Sequence, residues 1–189
     1  MPRLCLLALA LFTASGQQLL TLEIRTFLGT EDVTGRTRII VHRAGERARP
    51  VAQVPVGDAR ATMHVPPGIY DAQAVEEREG KVANIRWAER LVVMPYPDEN
   101  GHHLEVINFL PGYGALQVRA AGRAALDEVA MFPVKQRDTP AAAATRRGDY
   151  QLFVVRAGQY DLRVGGAARG TWHNAIDVPL DRTRLWIVP

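Results

Sequence analysis

The chain has 189 residues, of which 47% are hydrophobic and 23% charged, with a formal net charge of +3. Nearly all the basic residues are arginine, Lys81 and Lys135 being the only lysines, and with a small excess and well-mixed signs no nucleic-acid partner is expected. Ser15 is the only serine and Cys5 the only cysteine, so a chain cut after Gly16 has neither a disulfide nor a Ser or Cys nucleophile for acyl-enzyme chemistry.

Residues 1–16, MPRLCLLALALFTASG, place one arginine before a short apolar run and then small residues. That pattern predicts a secretory signal peptide with Gln17 as the first mature residue. Cys5 lies inside the apolar run and is not placed to accept a lipid. No second apolar segment follows, so the expectation is a periplasmic or secreted protein, bacterial in character, without a transmembrane segment after cleavage. It must be held together by packing rather than by cross-links.

From Leu19 onward the periodicity is that of strands. LLTLEIRTF, TRIIVHR, ATMHV, IYDAQAV, ERLVVM and HLEVINF come first. ALQVRA, EVAMFPV, YQLFVV, YDLRV, NAIDV and RLWIV follow, all broken by Gly, Pro and Asp clusters. This rhythm predicts an all-β chain of antiparallel sandwiches rather than βαβ units. The run Ala141–Ala144 has room for a single helical turn. The basic stretch HRAGERAR at 42–49 reads as a solvated loop.

Two phrases, VPPGIYDAQA at 65–74 and VRAGQYDLRV at 155–164, share Val, Gly, Tyr and Asp in one register. They belong to parallel series. Leu22-Glu23-Ile24-Arg25 matches Leu116-Gln117-Val118-Arg119, Gly57-Asp58 matches Gly148-Asp149, Trp87 matches Trp172, and LEVI at 104–107 matches LWIV at 185–188. This is an internal duplication. It divides the chain into a first sandwich at 17–110 and a second at 114–189, joined through LPGYG at 110–114. Tyr70, Ala72 and Ala74 should face one way and Asp71 and Gln73 the other, with the tyrosine hydroxyl bonded to backbone near the turn.

A strand followed by Pro-x-Gly-x-Tyr and an alternating strand resembles the carboxypeptidase regulatory-like and transthyretin-like (prealbumin-like) β-sandwich domains. VPPGIYDAQA fits that pattern well; VRAGQYDLRV lacks the proline. The resemblance implies about seven strands in two sheets, often in tandem in exported proteins, and accessory, adhesive or ligand-binding roles. Some relatives carry a Lys–Asn isopeptide bond with the lysine on an early strand. Lys81 and Lys135 are not so placed, and that feature does not carry over.

The segment PYPDENGHHLE at 95–105 gathers Asp98, Glu99, His102, His103 and Glu105. Asp98, His102 and His103 are the only metal-ligand candidates, but their spacing fits no recurrent pattern and adjacent histidines on a strand face opposite ways. Asn100-Gly101 signals a hairpin tip. No metal and no cofactor are expected. Arg147-Gly148-Asp149 spells a cell-attachment tripeptide, yet the recurrence of Gly-Asp at 57–58 favours a plain turn.

Trp87 and Trp172, being duplicated, are expected in the cores. Trp186, Tyr96 and Tyr113 are the candidates for a partner or ligand surface. HExxH, GxSxG and phosphate-cradling glycine loops are absent. The chain thus reads as a non-enzymatic interaction or assembly module whose partner is a protein or a cell-envelope or extracellular polysaccharide. A carbohydrate-binding module is the alternative; an enzyme with convergent carboxylates or a metal is the remote one. RLWIV at 184–188 is the strand most exposed to pairing with a partner, with Trp186 as its anchor.

Overall fold

A computed structural model describes residues 18–96, 101–121, 126 and 128–188. The segment expected to be an export signal and the metal-ligand candidate Asp98 lie outside the described residues. The first part of the chain forms β1 (Leu20–Leu28), β2 (Glu31–Asp32), β3 (Thr37–Arg43), β4 (Glu46–Val54), β5 (Thr62–Val65), β6 (Gly68–Arg78), β7 (Lys81–Val93) and β8 (His102–Asn108). The second forms β9 (Tyr113–Ala120), β10 (Val129–Pro133), β11 (Thr145–Arg147), β12 (Tyr150–Arg156), β13 (Gly158–Val164), β14 (Thr171–Val178) and β15 (Thr183–Val188).

These strands make two tandem β-sandwiches. In the first, β1 pairs with β2, β5 and β8, and faces a sheet of order β4-β3-β6-β7. In the second, β11-β12-β9-β15 faces β10-β13-β14. The duplication is visible in the pairing: β1 lies between β5 and β8 as β9 lies between β12 and β15, and β3-β6-β7 repeats as β10-β13-β14. The residue register repeats as well. Glu23 opposes Leu104 as Gln117 opposes Leu185, and Trp87 opposes Gln73 as Trp172 opposes Arg163.

Each sandwich has its own core. Leu22, Ile24, Ile39, Val41, Tyr70, Ala72 and Ile107 fill the first; Leu116, Val118, Met131, Phe153 and Leu162 fill the second. The pairs are antiparallel with one exception per sandwich: β8 runs parallel to β1, and β15 parallel to β9. This corrects the hairpin reading of 95–105. The chain leaves β7 in one sheet and enters β8 in the other, so Gly101 (φ 70°) ends a crossover rather than a hairpin tip.

The repeated phrase is a repeated clamp. Tyr70 Oη donates to the Pro66 carbonyl at 2.5 Å, and Tyr160 Oη to that of Arg156 at 2.8 Å. On the opposite face Asp71 accepts from the Arg90 N–H at 3.0 Å and the Gly45 N–H at 3.2 Å. Asp161 accepts from Ala175 at 3.0 Å and Lys135 at 3.3 Å. All four donor residues have positive φ, between 54° and 80°. Each Asp therefore pins the turn after one strand and the bulge in another.

Trp87 and Trp172 are half-buried on the outer face, which corrects the expectation that duplication placed them in the cores. Arg47 lies over Trp87 at 4.1 Å and Arg137 over Trp172 at 4.2 Å. Arg47 also approaches Asp71 and Arg137 approaches Asp161, at 3.6 and 3.9 Å. A cation over the indole face shields one side of the ring and is attracted to its π electrons. HRAGERAR is likewise no loop, since it forms the end of β3, the turn and the start of β4. Ala141–Ala144 makes no helical turn; Ala142 bridges to Met131.

Trp186 packs against the second core, edge-on to His173 at 4.8 Å. Truncating Trp186 to Ala should cost about 2–3 kcal/mol, less than a fully buried tryptophan because the ring is only half enclosed. Thermal unfolding checks this, and an unchanged melting temperature would show the ring to be idle.

Candidate functional site in the cleft between the sandwiches

The outer face of the β1 sheet packs on the outer face of the β9 sheet. Phe27, Leu104 and Val106 meet Ala115, Tyr150, Leu152 and Val154 in a third apolar cluster. The joint is reinforced by Arg86, paired with Asp181 at 2.5 Å, and by Arg182, which donates to the Glu89 carbonyl at 2.6 Å.

Beside this apolar patch the alternation of β1, β8, β9 and β12 brings polar side chains into one open cleft of about 440 Å³. Glu23 and Arg25 come from β1, His102 from β8, Arg119 from β9 and Tyr150 from β12, with Arg60, Arg147 and Asp149 at the mouth. His102 Nε2 lies 3.0 Å from Glu23 Oε2, and Arg119 Nη2 lies 2.9 Å from His102 Nδ1. A guanidinium only donates, so Nδ1 is the acceptor and the ring proton sits on Nε2, facing the carboxylate. With both nitrogens engaged, His102 orients its neighbours and has no lone pair left to take a proton from a substrate. Tyr150 Oη donates to Glu23 Oε1 at 3.0 Å.

Burial pushes the Glu23 carboxyl up, but hydrogen bonds from His102 and Tyr150 and the charge of Arg25 outweigh it, so it stays below the usual range. Asp32 behaves alike: burial raises it, while Thr34 and Arg25 hold it low. Burial, then the charge and hydrogen bond of Glu23, drives the Tyr150 phenol upward. The floor of the cleft is therefore a fixed set of ionised and hydrogen-bonded groups.

The sequence candidates are scattered. Trp186 is in the packing of the second sandwich. Tyr113 leans on the apolar joint with Arg156 over its ring at 4.4 Å. Tyr96 is 47% exposed, edge-on to the buried His103 at 6.1 Å. His102 and His103 do face opposite ways, one into the cleft and one away. Among the described residues no group of three His, Cys, Asp or Glu side chains could hold a metal. Sequence reasoning missed the arginines of the cleft. The only local signal was the matched pair Arg25 and Arg119 in the duplicated first strands, both buried here.

No family model matches the chain, and no curated protein matches it. Among solved structures, the Bacillus anthracis TIE protein is 13% identical, with 89% of this chain and 33% of that one covered and a TM-score of 0.33. The tip fimbrial protein Mfa3 from Porphyromonas gingivalis is 10% identical, covering 90% and 94% with a TM-score of 0.31. GBS52, the minor pilin of Streptococcus agalactiae, is 11% identical, covering 89% and 94% with a TM-score of 0.28. At such scores no function passes from those proteins to this chain.

Proposed function

We propose that this chain is a non-enzymatic, extracytoplasmic interaction module that accepts an extended strand of a partner protein along β15. The observation that carries this reading is an unequal pair of edges. In the first sandwich the outer side of β8 is covered: the Val106 N–H donates to Thr183 Oγ1 at 2.7 Å, and Leu104 and Val106 are buried against the second sandwich. Their repeats in the second sandwich are Leu185 and Ile187, which remain half-exposed. Beyond Thr183, no described residue makes a backbone hydrogen bond to the far side of β15.

The edges β4, β5, β7 and β11 carry protection that β15 lacks, as do β10, which ends in Pro133, and β14, whose pairing with β13 shifts register. β4 contains Pro50 and two register shifts, β7 is bulged and crossed by Arg182, and β5 and β11 are four and three residues long. A regular, apolar, unpaired strand is a template for strand addition. The expected anchor therefore moves from Trp186, which faces the core, to Ile187.

Residues 1–16 serve in this reading as the cleaved export signal, and the boundaries 17–110 and 114–189 as the two repeats. No helix among the described residues is long and apolar enough to cross a membrane. The carboxypeptidase regulatory-like and transthyretin-like resemblance rests on the two Gly-x-Tyr-Asp phrases. The carbohydrate alternative is weakened because arginines already cover the faces of Trp87, Trp172 and Tyr113.

The test is a photo-crosslinking amino acid placed at Ile187 and, as control, at the exposed Val51 on β4. A discrete adduct from position 187 and none from 51, in the producing cell, is the expected result. Equal adduct patterns from both positions would reject β15 as the docking edge.

A further inference from the structure

We propose that the inter-sandwich cleft binds a carboxylate, supplied by an Asp or Glu side chain of a partner protein, at the place now held by the chain's own Asp149. Four arginines line the cleft against two carboxylates, Glu23 and Asp149. The inner pair is occupied. Arg25 is buried, bonded to Asp32 and to the Ala59 carbonyl, and lies 3.9 Å from Glu23. Arg119 is buried against His102 and reaches Asp149 at 3.6 Å.

The outer pair carries the surplus charge. Arg60 is exposed and its side chain makes no hydrogen bond or ion pair with a described residue. Among the described residues Arg147 reaches only Asp32, at 3.5 Å, and Asp32 is already held by Arg25. Guanidinium forks recognise planar carboxylates, and partial enclosure in the cleft strengthens that attraction relative to open water.

Asp149 shows where an incoming carboxylate fits. Its side chain is 67% exposed and its only ion pair with a described residue is the long one to Arg119. It sits in the turn between β11 and β12, just after Gly148 (φ 52°), so it can swing out without disturbing either strand. The source of the carboxylate is a peptide rather than an acidic sugar because the cleft offers no bare ring to stack on. His102 lies stacked 6.2 Å from the Tyr150 ring, and the Arg119 guanidinium 5.9 Å from it. This site stands apart from β15, and its test does not depend on strand addition.

The experiment is fluorescence anisotropy of a labelled hexaglutamate peptide titrated with the purified chain at low ionic strength. Saturable binding is expected, about tenfold weaker for Arg60→Gln and for Arg147→Gln, and lost on raising salt. Asp149→Asn should bind several-fold tighter, since it removes the internal competitor; a generic basic surface would show little dependence on that one residue. Arg38→Gln, which breaks the half-exposed pair to Glu77 elsewhere, should bind as the parent does. The positions changed are at the surface, and unchanged melting temperatures confirm that each variant is folded. Equal binding by Arg60→Gln, or no gain with Asp149→Asn, overturns the site. Displacement of the peptide by glucuronate at lower concentration than by free glutamate overturns the assignment to a peptide.

Discussion

Replacing Asp71 by Ala should lower the stability of the first sandwich by about 2–3 kcal/mol, because two part-buried backbone amides lose their acceptor at once. Asp71 is 4% exposed, and its oxygens hold the N–H groups of Arg90 and Gly45. Those residues have φ of 57° and 80°, conformations that nothing else in the local sequence enforces. The bond from the Arg90 N–H is also the first reason that the Asp71 carboxyl lies below its usual range. The variant additionally strips Arg47 of a partner above Trp87. A fall in melting temperature of at least about 10 °C is expected. Asp161→Ala should act likewise on the second sandwich, where Ala175 and Lys135 donate. A shift below about 2 °C for both variants would mean that water replaces the carboxylates and that the duplicated aspartate is not a clamp.

Changing Glu105 to Gln should stabilise the protein at pH 8 and leave it nearly unchanged at pH 5. Burial pushes the Glu105 carboxyl from its ordinary 4.5 up to about 7, only partly offset by the Thr183 hydrogen bond and the charge of Arg182. The carboxyl accepts from the Thr183 N–H at 2.8 Å and from Thr183 Oγ1 at 3.1 Å, so it sits in the seam where β8 meets β15. A small cavity of about 110 Å³ adjoins it. Because the folded state holds this proton more tightly than the unfolded chain does, stability falls as pH rises from about 4.5 to 7 and is flat above. The span is on the order of 3 kcal/mol as an upper bound. Glu23, Asp32, Asp71 and Glu76 act in the opposite sense, being held low, so their contribution is lost on acidification through their lowered values. The parent should be most stable on the weakly acid side of neutrality. Gln keeps the oxygen that Thr183 needs but cannot ionise, so its melting temperature should be flat between pH 5 and 8. Equal slopes in parent and variant would place the titrating group elsewhere.

The duplicated phrases were legible because their logic is local. A strand repeats every two residues, so Tyr70, Ala72 and Ala74 declare one face and Asp71 and Gln73 the other before any partner strand is known. The reach of a tyrosine hydroxyl to a carbonyl four residues back is likewise set by the turn itself. The place of the tryptophans was not legible in this way. Glu89 and Arg90 form a bulge after Ala88 that shifts the phase of β7, and the arginines covering the indoles come from β4 and from the loop after β10. Edge status was similarly hidden. LEVI and LWIV look alike as strings, but only β8 has the second sandwich against it.

By itself, then, the sequence determined an all-β chain, its repeat, the absence of Ser and Cys chemistry in the body of the chain, and the inward face of its best-patterned strands, since composition and two-residue periodicity are properties of short segments. The tertiary structure alone decided the parallel closure of each sandwich by its last strand, the outward turn of Trp87 and Trp172, and the meeting of Glu23, Arg25, Arg60, His102, Arg119, Arg147 and Tyr150 in one cleft. Those contacts join residues up to 127 positions apart. Their geometry follows from how two finished sheets pack on each other, which no window of sequence contains.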